Sequence, residues 1–132
     1  MIATSTPAAR GIADAAADPA VIDEDHLARM TLGDRALERE VLEIFVRQTV
    51  ILLERIAKAD PAFAAGAAHT LSGSASGIGA TRVAQAAERL EQAARAKASS
   101  AEFDGAVEAL KAATVEASAA ITARLGSVLR DH

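Results

Sequence analysis

The chain has 132 residues, a formal net charge of −4 and no cysteine. That length suits one domain, disulfide and thiolate chemistry are excluded, and no basic field marks the surface for nucleic acid. Hydrophobic residues make up 51% but aromatics only 2%, with no Trp or Tyr, so the core is expected to be Ala, Leu, Val and Ile in closely packed helices.

The apolar runs are too short and too interrupted by charge to span a membrane. The lack of cysteine fits a reducing, cytoplasmic compartment. Residues 1–20, rich in Ala, Thr, Ser and Pro, lack the basic start and apolar run of a secretory signal. They are expected to be a disordered leader, with the folded domain at 21–130.

Ile22–Met30 is expected to form a short helix capped by Asp23, with Leu27 and Met30 facing inward. Thr31-Leu32-Gly33 breaks it, and Asp34 can cap a second helix from Arg35 to about Ala59. Leu37, Val41, Phe45, Leu52 and Ile56 line one face of that helix; Arg39, Glu43, Arg47, Glu54 and Lys58 line the other. Further apolar residues on its flanks, including Leu42, Ile44 and Ile51, call for more than one neighbour.

Asp60-Pro61 is a helix start, an N-cap acceptor followed by proline at the first helical position. The third helix stops near Gly77–Gly79. Thr81 opens a fourth, with Val83, Ala86, Ala87, Leu90 and Ala94 on one face. Ser99 with Glu102 matches a capping box. A fifth segment then runs on Phe103, Val107, Leu110, Thr114, Ala117 and Ile121 to about Gly126. No stretch alternates like a strand. The fold class is all-α: an antiparallel up-down-up-down four-helix bundle with a short extra N-terminal helix.

The third helix carries the feature that asks for a function. At about 100° per residue, Ala65, Gly66, His69, Ser72, Gly73, Ser76 and Gly77 share one face. Phe63, Ala67, Leu71, Ala75 and Ile78 fall opposite, with Ser74 beside them. Each interior helical glycine costs about 0.8–1 kcal/mol relative to alanine, so Gly66 and Gly73 need a reason. Two are open: another molecule approaches His69 across a flat strip, or the helix packs tightly on a neighbour through its glycines. An imidazole on such a strip, with an ordinary pKa of about 6.5, is largely neutral and nucleophilic at pH 7.

The run His69-Thr70-Leu71-Ser72-Gly73-Ser74-Ala75, then Gly77-Ile78-Gly79-Ala80 and Leu90-Glu91, resembles the histidine-containing phosphotransfer (HPt) domain family. Leu32-Gly33-Asp34, Phe45 and Asp60 also stand where that family has similar residues, and the resemblance spans Asp23 to Leu125. It implies a phosphoryl carrier of a two-component phosphorelay. His69 would take a phosphoryl group, on Nε2, from a receiver-domain aspartate or a hybrid sensor histidine kinase, and pass it to another receiver. Ser72, Gly73, Ser74, Ser76, Glu91 and Arg95 would support the imidazole or dock the partner. Mg²⁺ would sit on the receiver, with no metal or cofactor on this chain, and a monomer is favoured. The departure is Ser72, where the family commonly has lysine. Arg95, one turn past Glu91, could partly substitute or simply form an exposed i,i+4 pair with it.

Other readings are weaker. Gly73 to Gly79 also spells GxxxGxG, but the cofactor loop of short-chain dehydrogenases needs a preceding strand, and their catalytic tyrosine is absent. His26, His69 and His132 are scattered and do not form a metal pattern; His26 and His132 read as surface groups. No region is long enough for the ATP-binding domain of an autonomous kinase. The main competitor is an HPt-like module that docks a receiver or kinase without carrying phosphate.

Overall fold

Asp23 opens the first helix in the computed structural model, which describes residues 21–58 and 60–130, without the side chains of 127–130. The expected leader, Ala59 and His132 lie outside the described residues. The Asp23 carboxylate accepts the His26 N–H at 3.1 Å, and α1 runs Glu24–Met30, two residues later than expected. Leu27 is buried, but Met30 is exposed. Thr31 turns inward instead, and its hydroxyl donates to the Leu27 carbonyl at 2.8 Å.

Asp34 accepts the Leu37 N–H at 3.0 Å and starts α2, Arg35–Lys58. Its buried line is Glu38, Leu42, Phe45, Thr49 and Ile56. Leu37, expected inside, is exposed, while Val41 and Leu52 sit half-buried at the edges. The true face is turned from the expected one, because apolar residues surround much of this helix and the periodicity alone does not choose among them.

Asp60 caps α3, Pro61–Ile78, by accepting the Phe63 N–H at 2.9 Å. Ala64, Ala67, Ala68, Leu71, Ala75 and Ile78 are buried. Helix α4 is Thr81–Arg95 and presents Val83, Ala87, Leu90 and Ala94 to the core as expected. Thr81 opens it as expected, with no side-chain cap on its N-terminus. Ser99 accepts the Glu102 N–H at 3.2 Å and starts α5, Ser100–Arg130. This helix continues past Gly126, where the sequence suggested a stop.

Helices α2, α3, α4 and α5 pack in a ring, each against its chain neighbours, with α2 closing on α5 and α1 lying on α3. Described residues contain helices and no strand. No helix among them is long and apolar enough to cross a membrane. Alanines at 64, 68 and 75 of α3 and at 87 of α4 have negligible exposure, and α3 with α4 is the most extensive helix pair.

Two features fix the ends of the ring. Gly79, at φ +82°, closes α3 in a Schellman motif: its N–H bonds to Ser76 and that of Ala80 to Ala75. The Asp23 N–H donates to the Gly79 carbonyl at 2.8 Å, and a Cβ at Gly79 would lie 2.8 Å from the Asp23 carbonyl oxygen. Arg124 of α5 bonds Glu38 through Nη2 at 2.7 Å and Glu24 through Nε at 2.9 Å. Burial works against the charge of Arg124, but its hydrogen bonds and the charges of Glu38 and Glu24 outweigh it, raising its pKa above the ordinary value. Glu38 is buried, and its second oxygen lies 3.3 Å from the Thr31 hydroxyl, whose single proton is shared with the closer Leu27 carbonyl. Charged partners thus let a carboxylate occupy the core edge.

Candidate functional site

The close packing of α3 on α4 brings His69 against Glu91, 22 residues later in the chain, with Nδ1 and Oε1 3.2 Å apart. Arg95, one turn after Glu91, donates from Nε to the other oxygen, Oε2, at 2.8 Å. The His69 side chain is 73% exposed and Glu91 only 18%, so the carboxylate sits behind the imidazole rather than in front of it.

Arg95 chiefly holds the Glu91 pKa below its usual value; burial opposes this, and His69 adds to it. An ionised carboxylate only accepts hydrogen bonds, so the imidazole proton belongs on Nδ1, assigned from the acceptor facing it. The lone pair is then on Nε2. The result is an exposed imidazole, with Nε2 free to act as a nucleophile and the ring orientation set from behind.

Along α3 the surroundings of His69 are small. Gly66, Gly73 and Ser76 are exposed, and Ser72 and Gly77 half-buried. Ser74 is also half-buried, but at 100° per residue it lies about 140° round the helix from His69. A Cβ built at Gly66, Gly73 or Gly77 meets nothing within 4 Å. Among the described residues no neighbouring helix packs on these glycines, which leaves the approach of another molecule as the reason for them. The structure brings together His69, Glu91 and Arg95, with Ser72, Gly73 and Ser76 along the same strip, and leaves Ser74 apart.

Three expectations are corrected here. Ala65, grouped with the open strip, is buried, because that edge of α3 faces its neighbour. Phe63, expected in the core, is 46% exposed. It lines an open cleft of about 430 Å³ with Ile51, Glu54, Arg55 and Lys58. Helical phase puts Phe63 about 120° round α3 from His69, with exposed Thr70 on the same line as Phe63. The signal was present in the seven-residue spacing of Leu37, Ile44 and Ile51, all exposed. Finally His26, expected at the surface, is half-buried, with Nε2 enclosed and unpartnered.

Among the described residues no three His, Cys, Asp or Glu side chains gather as metal ligands. The family model of the Hpt domain matches residues 40–121, a span that contains His69, Glu91 and Arg95. No curated protein and no solved structure matches the chain.

Proposed function

Because the chain belongs to the Hpt domain family, we propose that it relays a phosphoryl group through Nε2 of His69 to or from receiver-domain aspartates of a two-component phosphorelay. The observation that carries this reading is the orientation of His69: Nδ1 held on Glu91, with the imidazole exposed on a strip of glycines that no described residue fills.

The chemistry balances without a proton leaving the ring. The Nε2 lone pair attacks phosphorus, the bond from phosphorus to the aspartyl oxygen breaks, and its electrons stay on the aspartate. Nδ1 keeps its proton, and the added positive charge on the imidazole is offset by Glu91. Phosphoryl transfer of this kind depends mostly on positioning and charge stabilisation. The receiver would hold the Mg²⁺ that neutralises the phosphoryl oxygens, and the chain itself would act as a carrier, not a kinase.

The flat strip supplies the close approach that in-line transfer requires. The exposed patch of Ile51 and Phe63 offers further apolar area to a docked partner, a receiver or a hybrid sensor kinase. We read the ring as an up-down-up-down bundle on the strength of its short connections, such as Gly79-Ala80 between α3 and α4, and the protein as a cytoplasmic monomer.

The test is incubation with a phosphorylated receiver and Mg²⁺, comparing the native chain with His69→Gln. Label should move to the native chain alone. One observation favours a second reading, a docking module that carries no phosphate: Ser72 puts no cation beside His69. Such a module would bind the receiver and take no label.

A further inference from the structure

Resting on that reading, we propose that Arg95 is a positioning residue for His69, holding Glu91 so that the imidazole keeps its proton on Nδ1 and its lone pair on Nε2. The three side chains form a line. Arg95 Nε bonds Glu91 Oε2 at 2.8 Å, and Glu91 Oε1 faces His69 Nδ1 at 3.2 Å. Each carboxylate oxygen thus has one partner, and the plane of the carboxylate is fixed from both sides.

Two consequences follow from charge and geometry. A carboxylate tethered at one oxygen cannot rotate away without losing a charge-assisted bond, so its other oxygen stays aimed at Nδ1. Glu91 alone would also set an uncompensated anion behind the nitrogen that receives a phosphoryl group. The Arg95 cation balances it, so Glu91 can orient the ring without repelling the incoming group. The Arg95 side chain is 60% exposed, and an exposed i,i+4 pair ordinarily does little for stability. Its role is therefore separable from folding.

The competing account is that the Arg95–Glu91 pair is only a helix surface pair. The deciding experiment has two readouts on the full chain: ¹⁵N spectra of the His69 imidazole, assigned against His69→Gln, and the rate of phosphorylation by phosphoramidate. In the latter reaction Nε2 attacks phosphorus and the P–N bond breaks, and ammonia leaves with a proton from water, so no partner protein is required.

Arg95→Gln should move the His69 spectrum toward the tautomer protonated on Nε2 and slow phosphorylation by about threefold or more. Arg95→Lys should recover much of both. In a Glu91→Gln background, Arg95→Gln should have no further effect, because the connection is already cut. An unchanged spectrum and rate in Arg95→Gln would overturn the proposal. So would an equal slowing by Arg95→Gln with or without Glu91, which would mean that the arginine meets the phosphoryl group directly. If even the native chain takes no phosphoryl group, the functional reading fails, while the spectra still decide whether Arg95 sets the tautomer.

Discussion

Nδ1 of His69 lies 3.2 Å from Oε1 of Glu91, a contact between adjacent helices of the ring. That contact holds the ring of an exposed helix-surface histidine from one side, as the proposed phosphoryl acceptor requires. Replacing the acceptor by Glu91→Gln removes the negative charge and lets the side-chain amide turn either its oxygen or its NH₂ toward the ring. Phosphoryl acceptance by His69 should slow by roughly five- to tenfold, about 1–1.4 kcal/mol of transition-state stabilisation. Initial rates with a small phosphodonor, alongside an unchanged circular dichroism spectrum, check this.

The same carboxylate gives a pH signature. Its folded-state pKa is lowered, first by Arg95 and further by His69, against the opposing effect of burial. The lowered pKa means that Glu91 contributes stability above the unfolded carboxylate pKa, about 4.3, and that this contribution is lost as pH falls through the folded value. Urea unfolding of the native chain and Glu91→Gln should therefore differ most at pH 6, with the native chain more stable. The curves should converge in the acid range below about pH 4.

Gly73 offers a test in which stability and function move in opposite directions. A Cβ there meets nothing within 4 Å, and alanine is the better helix former. Gly73→Ala should raise stability by about 0.5–1 kcal/mol. Gly73→Leu should keep the fold and at least native stability, yet fill the strip beside His69 and strongly reduce transfer from a receiver. A Gly73→Leu variant with native transfer kinetics would mean that no partner approaches this strip.

Gly79 behaves oppositely although it is the same residue type six positions later. Its φ of +82° and the Asp23 carbonyl 2.8 Å from an added Cβ both exclude a side chain. The αL conformation alone costs an alanine about 1–2 kcal/mol, and the clash adds to it. Gly79→Ala should lose roughly 2–3 kcal/mol in chemical denaturation and loosen the hydrogen bond that ties α1 to the end of α3.

Arg124→Met should be about as damaging. It strands Glu38, buried in the core edge with its Oε1 hydrogen-bonded to Arg124; breaking a buried pair typically costs about 3–5 kcal/mol. Partial exposure of the arginine, 24% of its side chain, places the expected loss nearer 2–3 kcal/mol. Removing both charges with Glu38→Met in the same chain should restore most of it, as the midpoint of urea unfolding would report.

These residues show which parts of the molecule were legible in its sequence. Helix α4 was, because its alanine and leucine face is separated from a charged one. The caps of α1, α2, α3 and α5 were, because Asp23, Asp34, Asp60 and Ser99 are local signals that need no tertiary context. The inward face of α2 was not. Glu38 can be buried only because Arg124, 86 residues away, meets it, and no local pattern carries that information. Met30 and Phe63 failed for a related reason: an apolar residue at the right phase goes inside only where a neighbour covers it. At the site, spacing alone picked out His69 and its glycines. Glu91 was named from the family resemblance, since its contact depends on the register between α3 and α4. The different uses of Gly73 and Gly79 became distinct only with the backbone angles and the surrounding atoms in place.

The proposed carrier role requires His69 to take the phosphoryl group through the face left open for a partner. The most direct measurement mixes phosphorylated receiver domains from the same cell with the native chain and with His69→Gln, in Mg²⁺, and follows the label. Rapid, acid-labile labelling of the native chain from at least one receiver is expected, and none of the variant. Equal labelling of both chains, or binding of the receiver with no label on the native chain, would contradict it.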